Sequence, residues 1–460
     1  MYLGAGFRNW RGVLSALFAL TVSACATPYD HERGAPPDIS DEWYLTFESE
    51  FEAPRFASGK TKIPIESYDS LAPDSDNAKW EYRDGPNKGA YAVGENAFIQ
   101  KGDTRDGSVL ILRTSLDPIP TLGRSNALRT GYIRTRNYEN TGPNTSTTFS
   151  QKFGYFEARM KFKSSPGQWG AFWLMPARKI WCADGSGRDA TEIDIVEGFP
   201  KPAGKRRNRE KSVNLAIHYD GYGRFHQKQD IAFPEQSKSP VWSGFDASEF
   251  HNYGFLWTPE SYTWYVDGVP VAHIDDPDLI SQGEKYLKLS TEVAGWAGNI
   301  DPRLLPADTE VDWVKVWQTR KMAAGNPYIF EVENARVFLD DNVQTERLET
   351  GTWCNNVFAR ASEGTIGSLA IPIETSVRGR QIGIRVSNPT NDQSWVKLLV
   401  DGVEVRSWDS IDLDTLFVLK HSSPITVSEE IEVLWSDGIA IEQVYLVPAT
   451  PTYPITNKTS

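Results

Sequence analysis

The chain has 460 residues and a net charge of −13, long enough for two or three domains of ordinary size and too acidic to suit nucleic acid as a partner. Beyond the N-terminal residues, no apolar run is long enough to cross a bilayer. Aromatic residues reach 12% with 16 Trp, a supply that serves sugar-stacking surfaces as well as a core.

Arg8 and Arg11 precede an apolar run over 13–22, which is too short for a spanning helix and reads as a targeting segment. Val22-Ser23-Ala24-Cys25 follows. Small residues before a Cys, directly after such a run, resemble a bacterial lipoprotein signal. The resemblance implies cleavage before Cys25 and lipid on its sulfur; an ordinary signal peptide cut near Ala24 or Ala26 is the alternative. Residues 1–25 are thus expected to be a lipoprotein-type signal peptide. Residues 26–40, polar and carrying Pro36-Pro37, are expected to be a tether. The protein is expected to be exported and held at a bacterial membrane, the outer membrane or cell surface, through its lipid anchor alone. Cys182 and Cys354 fall in different expected domains. They indicate neither a disulfide framework nor a zinc site, and two buried thiols or one inter-domain bridge would account for them.

From Trp43 the chain is strand-like. An apolar run over 108–113 has strand length, 153–162 is a further strand, and 120–151 and 178–191 are rich in loop-forming residues. Strand patterns over 261–266 and 269–274 flank Asp267-Gly268, a strong hairpin signal. No long stretch has helical periodicity. Many strands punctuated by turns imply an all-β sandwich.

The chemistry concentrates in Thr191-Glu192-Ile193-Asp194-Ile195-Val196-Glu197-Gly198. Three carboxylates among β-branched residues read as a strand. Alternation puts Glu192 and Asp194 on one face and would turn Glu197 to the other. One extra residue, a β-bulge at Ile195-Val196, returns Glu197 to the acidic face, and such bulges are common beside active sites. Three acids crowded on one face repel, which a solvated strand would avoid. Paired carboxylates are the requirement of glycoside hydrolysis, held about 5–5.5 Å apart in retaining enzymes and about 6.5–9.5 Å apart in inverting ones. Glu192 and Glu197 are about 13 Å apart along the backbone, a gap that two long side chains can largely close. Asp194 between them keeps one Glu protonated longer, as a general acid requires.

Glu192-Ile193-Asp194-Ile195-Val196-Glu197 resembles the bulged active-site motif of glycoside hydrolase family 16, the laminarinase, agarase and carrageenase group. Its flanks agree. Phe153-Gly154-Tyr155-Phe156-Glu157-Ala158-Arg159-Met160 and Trp169-Gly170-Ala171-Phe172-Trp173-Leu174 resemble the segments before the motif. Phe250-His251-Asn252-Tyr253, Trp264-Tyr265-Val266-Asp267-Gly268 and Val311-Asp312-Trp313-Val314-Lys315-Val316-Trp317 resemble those after it. The resemblance covers roughly 43–318. It implies a concanavalin-like β-jelly-roll catalytic domain over 41–320, with a cleft across its concave face. Glu192 is then the nucleophile, Glu197 the acid/base and Asp194 the helper, with no cofactor needed for catalysis.

Further site residues are read around the trio. One of Trp169 and Trp173 is expected to stack on sugar and the other to pack in the core. His218 lies on the strand expected to follow the catalytic one, on the face of Asn214 and Ala216, where it can bond the nucleophile or the substrate. Trp296, between small residues, is a subsite candidate. The basic loop 201–211 departs from typical laminarinases. It reads as a solvated surface, or, through Arg206 and Arg207, as a contact for an anionic polysaccharide. Glu50 and Asp312 resemble positions near a structural calcium site in some family members, although two acids alone do not make a site.

A linker pattern over 319–327 leads to a second all-β unit over 328–450. There 381–386 alternates, 395–400 and 403–408 flank Asp401-Gly402, and 431–435 and 439–445 flank 436–438. Size and pattern resemble a β-sandwich carbohydrate-binding module; a structural appendage is the alternative. Residues 451–460 read as a loose tail. The whole is expected to be a monomeric, endo-acting retaining hydrolase of a β-1,3- or mixed-linkage β-glucan. A marine galactan (agar, porphyran or carrageenan) is the rival substrate. A transglycosylase and a silent lectin-like binder are the rival activities, and the intact acid trio argues against the lectin.

Overall fold

The structure is a computed structural model. It describes residues 29–39, 41–51, 62–64, 80–102, 104, 107–119, 124–136, 147–163, 166–177, 185–188, 191–198, 213–233, 245–325, 329–332, 336–349, 355–387, 394–409 and 417–449. The expected lipidation site Cys25, both other cysteines, the basic loop with Arg206 and Arg207, and the tail 451–460 lie outside these residues.

The first domain is a sandwich of two sheets. The larger holds Gly154–Phe162 between His251–Trp257 and Ala307–Thr319, and the latter pairs on with Ser108–Ile119. The second sheet runs Gln227–Phe233, Val213–Tyr219, Glu192–Gly198, Gln168–Pro176, Lys285–Val293, Tyr132–Arg134, Glu81–Tyr82, with every neighbouring pair antiparallel. Alternate residues of each strand turn inward. Phe172 and Leu174, Leu287 and Leu289, and Ile217 pack against Phe156, Met160 and Val314 in one core, all fully buried. The other face of the second sheet is left to polar and aromatic residues, and this face carries the site.

The Asp267-Gly268 hairpin forms as its sequence predicts. Tyr262–Val266 and Val269–Ile274 pair, with φ of 50° and 76° at the two turn residues, the primed geometry that matches strand twist.

Two expectations need correction. The span 120–151 contains the strands Arg124–Thr130 and Tyr132–Arg134. Gly131 lets the chain pass from one sheet to the other between them, since a Cβ there would lie 2.3 Å from the Asn96 carbonyl oxygen. The polar composition of these strands hid them. The expected tether, over 29–39, lies against the domain. The Tyr29 hydroxyl donates to Glu157 and accepts from Asn252 Nδ2 at 2.9 Å, and Trp43 Nε1 donates to the Pro37 carbonyl at 2.9 Å. Buried polar groups on the large sheet need partners, and this segment supplies them.

The linker region contains a four-residue helix, Arg320–Ala323, capped by Thr319. Beyond it stands a second two-sheet sandwich whose core includes Ile382, Ile384, Val433 and Trp435. The strands Glu430–Ser436 and Ala440–Pro448 flank the turn expected at 436–438 but enter different sheets. The two domains touch. The Arg188 guanidinium lies 3.8 Å from the Tyr445 ring centre, and the Tyr445 hydroxyl donates to Asp278 at 2.5 Å.

Candidate active site

Register assembles the site row by row. Glu192 lies opposite His218, Asp194 opposite Ala216 and Glu197 opposite Asn214, with the register shifting between Asp194 and Glu197. Against the other neighbour, Asp194 faces Trp173 while Val196 faces Phe172, which leaves Ile195 as the extra residue. The bulge therefore turns Glu197 to the face of Glu192 and Asp194.

Each carboxylate has its own partner. Glu192 accepts from the Tyr222 hydroxyl. Asp194 Oδ2 lies 3.3 Å from His218 Nε2, and His218 Nδ1 lies 2.9 Å from His226 Nε2 with the two rings stacked. Glu197 accepts from Asn214 Nδ2 at 3.0 Å. Withdrawal from water, then the charges of Asp194 and Glu192, hold the Glu197 carboxyl well above the usual carboxylate range. Asp194 is pushed up by burial and by Glu192. Glu197 thus carries a proton where an ordinary glutamate would not, as a general acid must.

The aromatic candidates divide differently from the sequence reading. Trp169 and Trp173 are both buried. Trp173 is covered by the Lys288 ammonium 3.3 Å from its ring centre, and its Nε1 donates to Ser290. Trp169 is covered by Trp296 at 4.3 Å and by Lys88 at 4.6 Å. Trp296 is 54% exposed and Tyr222 59%, so these two offer open ring surface. His218 reaches the middle carboxylate, Asp194, rather than Glu192 opposite it.

Sequence reasoning missed Tyr222, Asn214 as the partner of Glu197, the Lys88–Glu292 pair and Lys288. The last was legible: in 285–293, Leu287 and Leu289 alternate with Lys288, Ser290 and Glu292, so the charged residues share the face opposite the core. Tyr222 sits in a turn, where periodicity carries no signal.

The donor atoms of Glu192, Asp194 and His218 lie within 4.8 Å of one another, a spacing that a cation could use. Tyr222 and His226 already engage two of the three, so the cluster reads as a hydrogen-bonded array. The calcium candidates are both tied to cations, Glu50 to Lys315 at 2.6 Å and Asp312 to Arg159 at 3.1 Å.

Residues 116–315 match the model of glycosyl hydrolases family 16. An endo-1,3-1,4-beta-glycanase of Rhizobium meliloti is 30% identical over 174 residues, 38% of this chain and 32% of that protein. A keratan-sulfate endo-1,4-beta-galactosidase of Sphingobacterium multivorum is 25% identical over 259 residues, 55% of this chain and 54% of that protein. The chain therefore spans less than two thirds of the length of these curated relatives. Among solved structures, an endo-beta-1,3-glucanase from Pyrococcus furiosus aligns with 62% of this chain and 99% of its own at 20% identity and a TM-score of 0.43. All the residues of the acid trio fall inside the family 16 match.

Proposed function

We propose that the chain is an endo-acting, retaining glycoside hydrolase of a β-1,3- or mixed-linkage β-glucan. The observation that carries this is the bulge that sets Glu192 and Glu197 on one face, one accepting a hydrogen bond and the other disposed to hold a proton. Glu192 attacks the anomeric carbon while Glu197 gives its proton to the leaving oxygen, and the glycosidic bond breaks. The Glu197 carboxylate then takes a proton from water, which attacks the same carbon and releases Glu192. The Tyr222 hydroxyl keeps the Glu192 carboxylate aimed. A cleft face with open rings at Trp296 and Tyr222 suits a polymer. A curated beta-glucanase of Rhodothermus marinus, 28% identical over 187 residues, supports a glucan. The N-terminal sequence supports export with lipid on Cys25.

A reducing-sugar screen over laminarin, mixed-linkage glucan, agar, porphyran and carrageenan tests the substrate. Proton NMR of the first products tests the mechanism, and the β anomer is expected first from a β-linked polymer. The α anomer first would mean inversion and remove the nucleophile role of Glu192.

A further inference from the structure

The sheet face that carries the acid trio also holds a cation that hydrolysis by the trio does not use. Lys288 lies opposite Trp173 on one side and Arg134 on the other, and Trp173 lies opposite Asp194. Residues directly opposite one another share a face, so Asp194, Trp173, Lys288 and Arg134 form one row across the sheet. Lys288 is 6% exposed. Its ammonium makes neither a hydrogen bond nor an ion pair within the described residues. Its neighbours are rings, with Trp173 at 3.3 Å, Tyr132 at 5.2 Å and Tyr286 at 5.9 Å. A buried charge ordinarily has an ionic partner, because desolvation without one is costly.

Burial lowers the Lys288 pKa to about 7 while the charges of Glu192 and Glu292 favour the ammonium, but neither carboxylate reaches it as a direct ion pair. Arg134 Nε pairs with Glu81 at 3.2 Å, and Glu292 is taken by Lys88. Arg83, over the Tyr132 ring at 5.3 Å, donates to the Pro86 carbonyl at 2.8 Å and to Asn87 Oδ1 at 3.2 Å, both uncharged. Four cations, Lys288, Arg134, Arg83 and Lys88, with two carboxylates among them, Glu81 and Glu292, thus stand on the same side of the trio. The Lys288 strand lies two strand spacings, about 10 Å, from the strand of the trio, and the ammonium leans back over Trp173 on the strand between them, so the group it meets lies beside the trio.

We propose that Lys288, with Arg134 and Arg83 beside it, forms a subsite for an anionic substituent, a carboxylate or a sulfate, on the glycan. A neutral hydroxyl gains little from an unpaired ammonium that Ser290 or Asn214 could not provide. An anion gains a charge-assisted bond in a site already drained of water. The ammonium is a point charge and suits either oxyanion. This deepens, and rests on, the glycan hydrolysis proposed for the same cleft.

The test compares one β-1,3-glucan in three forms: neutral, sparsely oxidised to carboxylate at its primary hydroxyls, and sparsely sulfated. The wild type should favour one anionic form over the neutral polymer by about tenfold in kcat/KM, mainly through KM, with the advantage shrinking as salt rises. The favoured form names the substituent. Lys288→Met should erase the preference and Lys288→Arg should keep it. Arg83→Gln, at the edge of the site, should reduce it, and reports on the subsite even if Lys288→Met does not fold. If the wild type cleaves the neutral glucan normally and gains nothing from either anion, or if Lys288→Met keeps the preference, the subsite is overturned and the hydrolase stands. If it cleaves none of the three forms, the glucanase reading fails and the subsite with it.

Discussion

Replacing Asp194 by Asn should move the alkaline limb of activity to lower pH. In the proposed mechanism the glycosylation step needs Glu197 protonated, so activity should fall as pH rises through the Glu197 pKa. That pKa is raised by withdrawal from water and next by the Asp194 charge. Side chains two residues apart on one strand face lie roughly 7 Å from each other. Two unit charges at roughly 7 Å in an effective dielectric of about 20 repel by about 2.4 kcal/mol, or between one and two pKa units. Asp194 is itself pushed toward its neutral form, so the trio titrates as a set and the observed shift should be about one unit. Asn preserves the shape, and the backbone carbonyl of residue 194 keeps its bond from Trp264 Nε1 at 3.1 Å. The assay is kcat/KM against pH on a soluble β-glucan for wild type and variant. An aryl glycoside whose leaving group needs no proton is the control, and its alkaline limb should not move. An unmoved limb on the polymer, or one displaced upward, would refute the electrostatic account of how Glu197 holds its proton.

Glu192→Ser should lower hydrolysis by at least about a thousandfold while polymer binding persists, since the nucleophile alone is lost; turnover and a binding isotherm on the same preparation check this. Tyr222→Phe removes the hydroxyl that Glu192 accepts and should lower kcat by about tenfold with little change in KM. Glu157 is buried beneath Tyr29 and Tyr155, and burial pushes its carboxyl up to about 7. Its contribution is therefore fully present below its ordinary value near 4.5 and is lost as pH rises through 7, so Glu157→Gln should raise the melting temperature at pH 8 and not at pH 4, with a ceiling of about 3 kcal/mol. Cys25→Ser should shift the protein from the membrane to the soluble fraction, read by fractionation and immunoblot.

The parts of this fold that alternate cleanly were open to reading. Asp267-Gly268 and Asp401-Gly402 sit between period-two runs, and each turn has positive φ at both residues as its sequence demands. The bulge was legible because three acids in six residues fit one face only with an extra residue between them. Arg124–Thr130 was not legible, since an edge-rich polar strand has no apolar period and is fixed by its pairing with Ser108–Ile119. Nor were the roles of Trp169 and Trp173. Whether an indole is covered depends on what the neighbouring strand and the turn after it set over it, here Lys288 and Trp296, and that is a property of pairing between segments more than a hundred residues apart. The same holds for the 29–39 segment, whose polarity suggested solvent and whose Tyr29 instead answers a buried carboxyl.

A bulge in the middle of a sheet interrupts the ladder and leaves backbone groups to be satisfied elsewhere. In this domain the opposite sheet meets that need. Trp264, on Tyr262–Val266 of the large sheet and 1% exposed, sends its Nε1 across the core to the carbonyl oxygen of Asp194, at the point where the register shifts. Beyond the bulge, Gly198 lets the strand close over Phe162 from the large sheet, because a Cβ there would stand 2.2 Å from the ring. Gly170, paired to Gly198 on the next strand, is pressed against the same ring and against Thr309. The strand Glu192–Gly198 is thus held from behind at both ends of its irregular stretch. The carboxylates gain their common face from the bulge. They keep it because core residues of the other sheet fix the backbone that the bulge would otherwise leave loose.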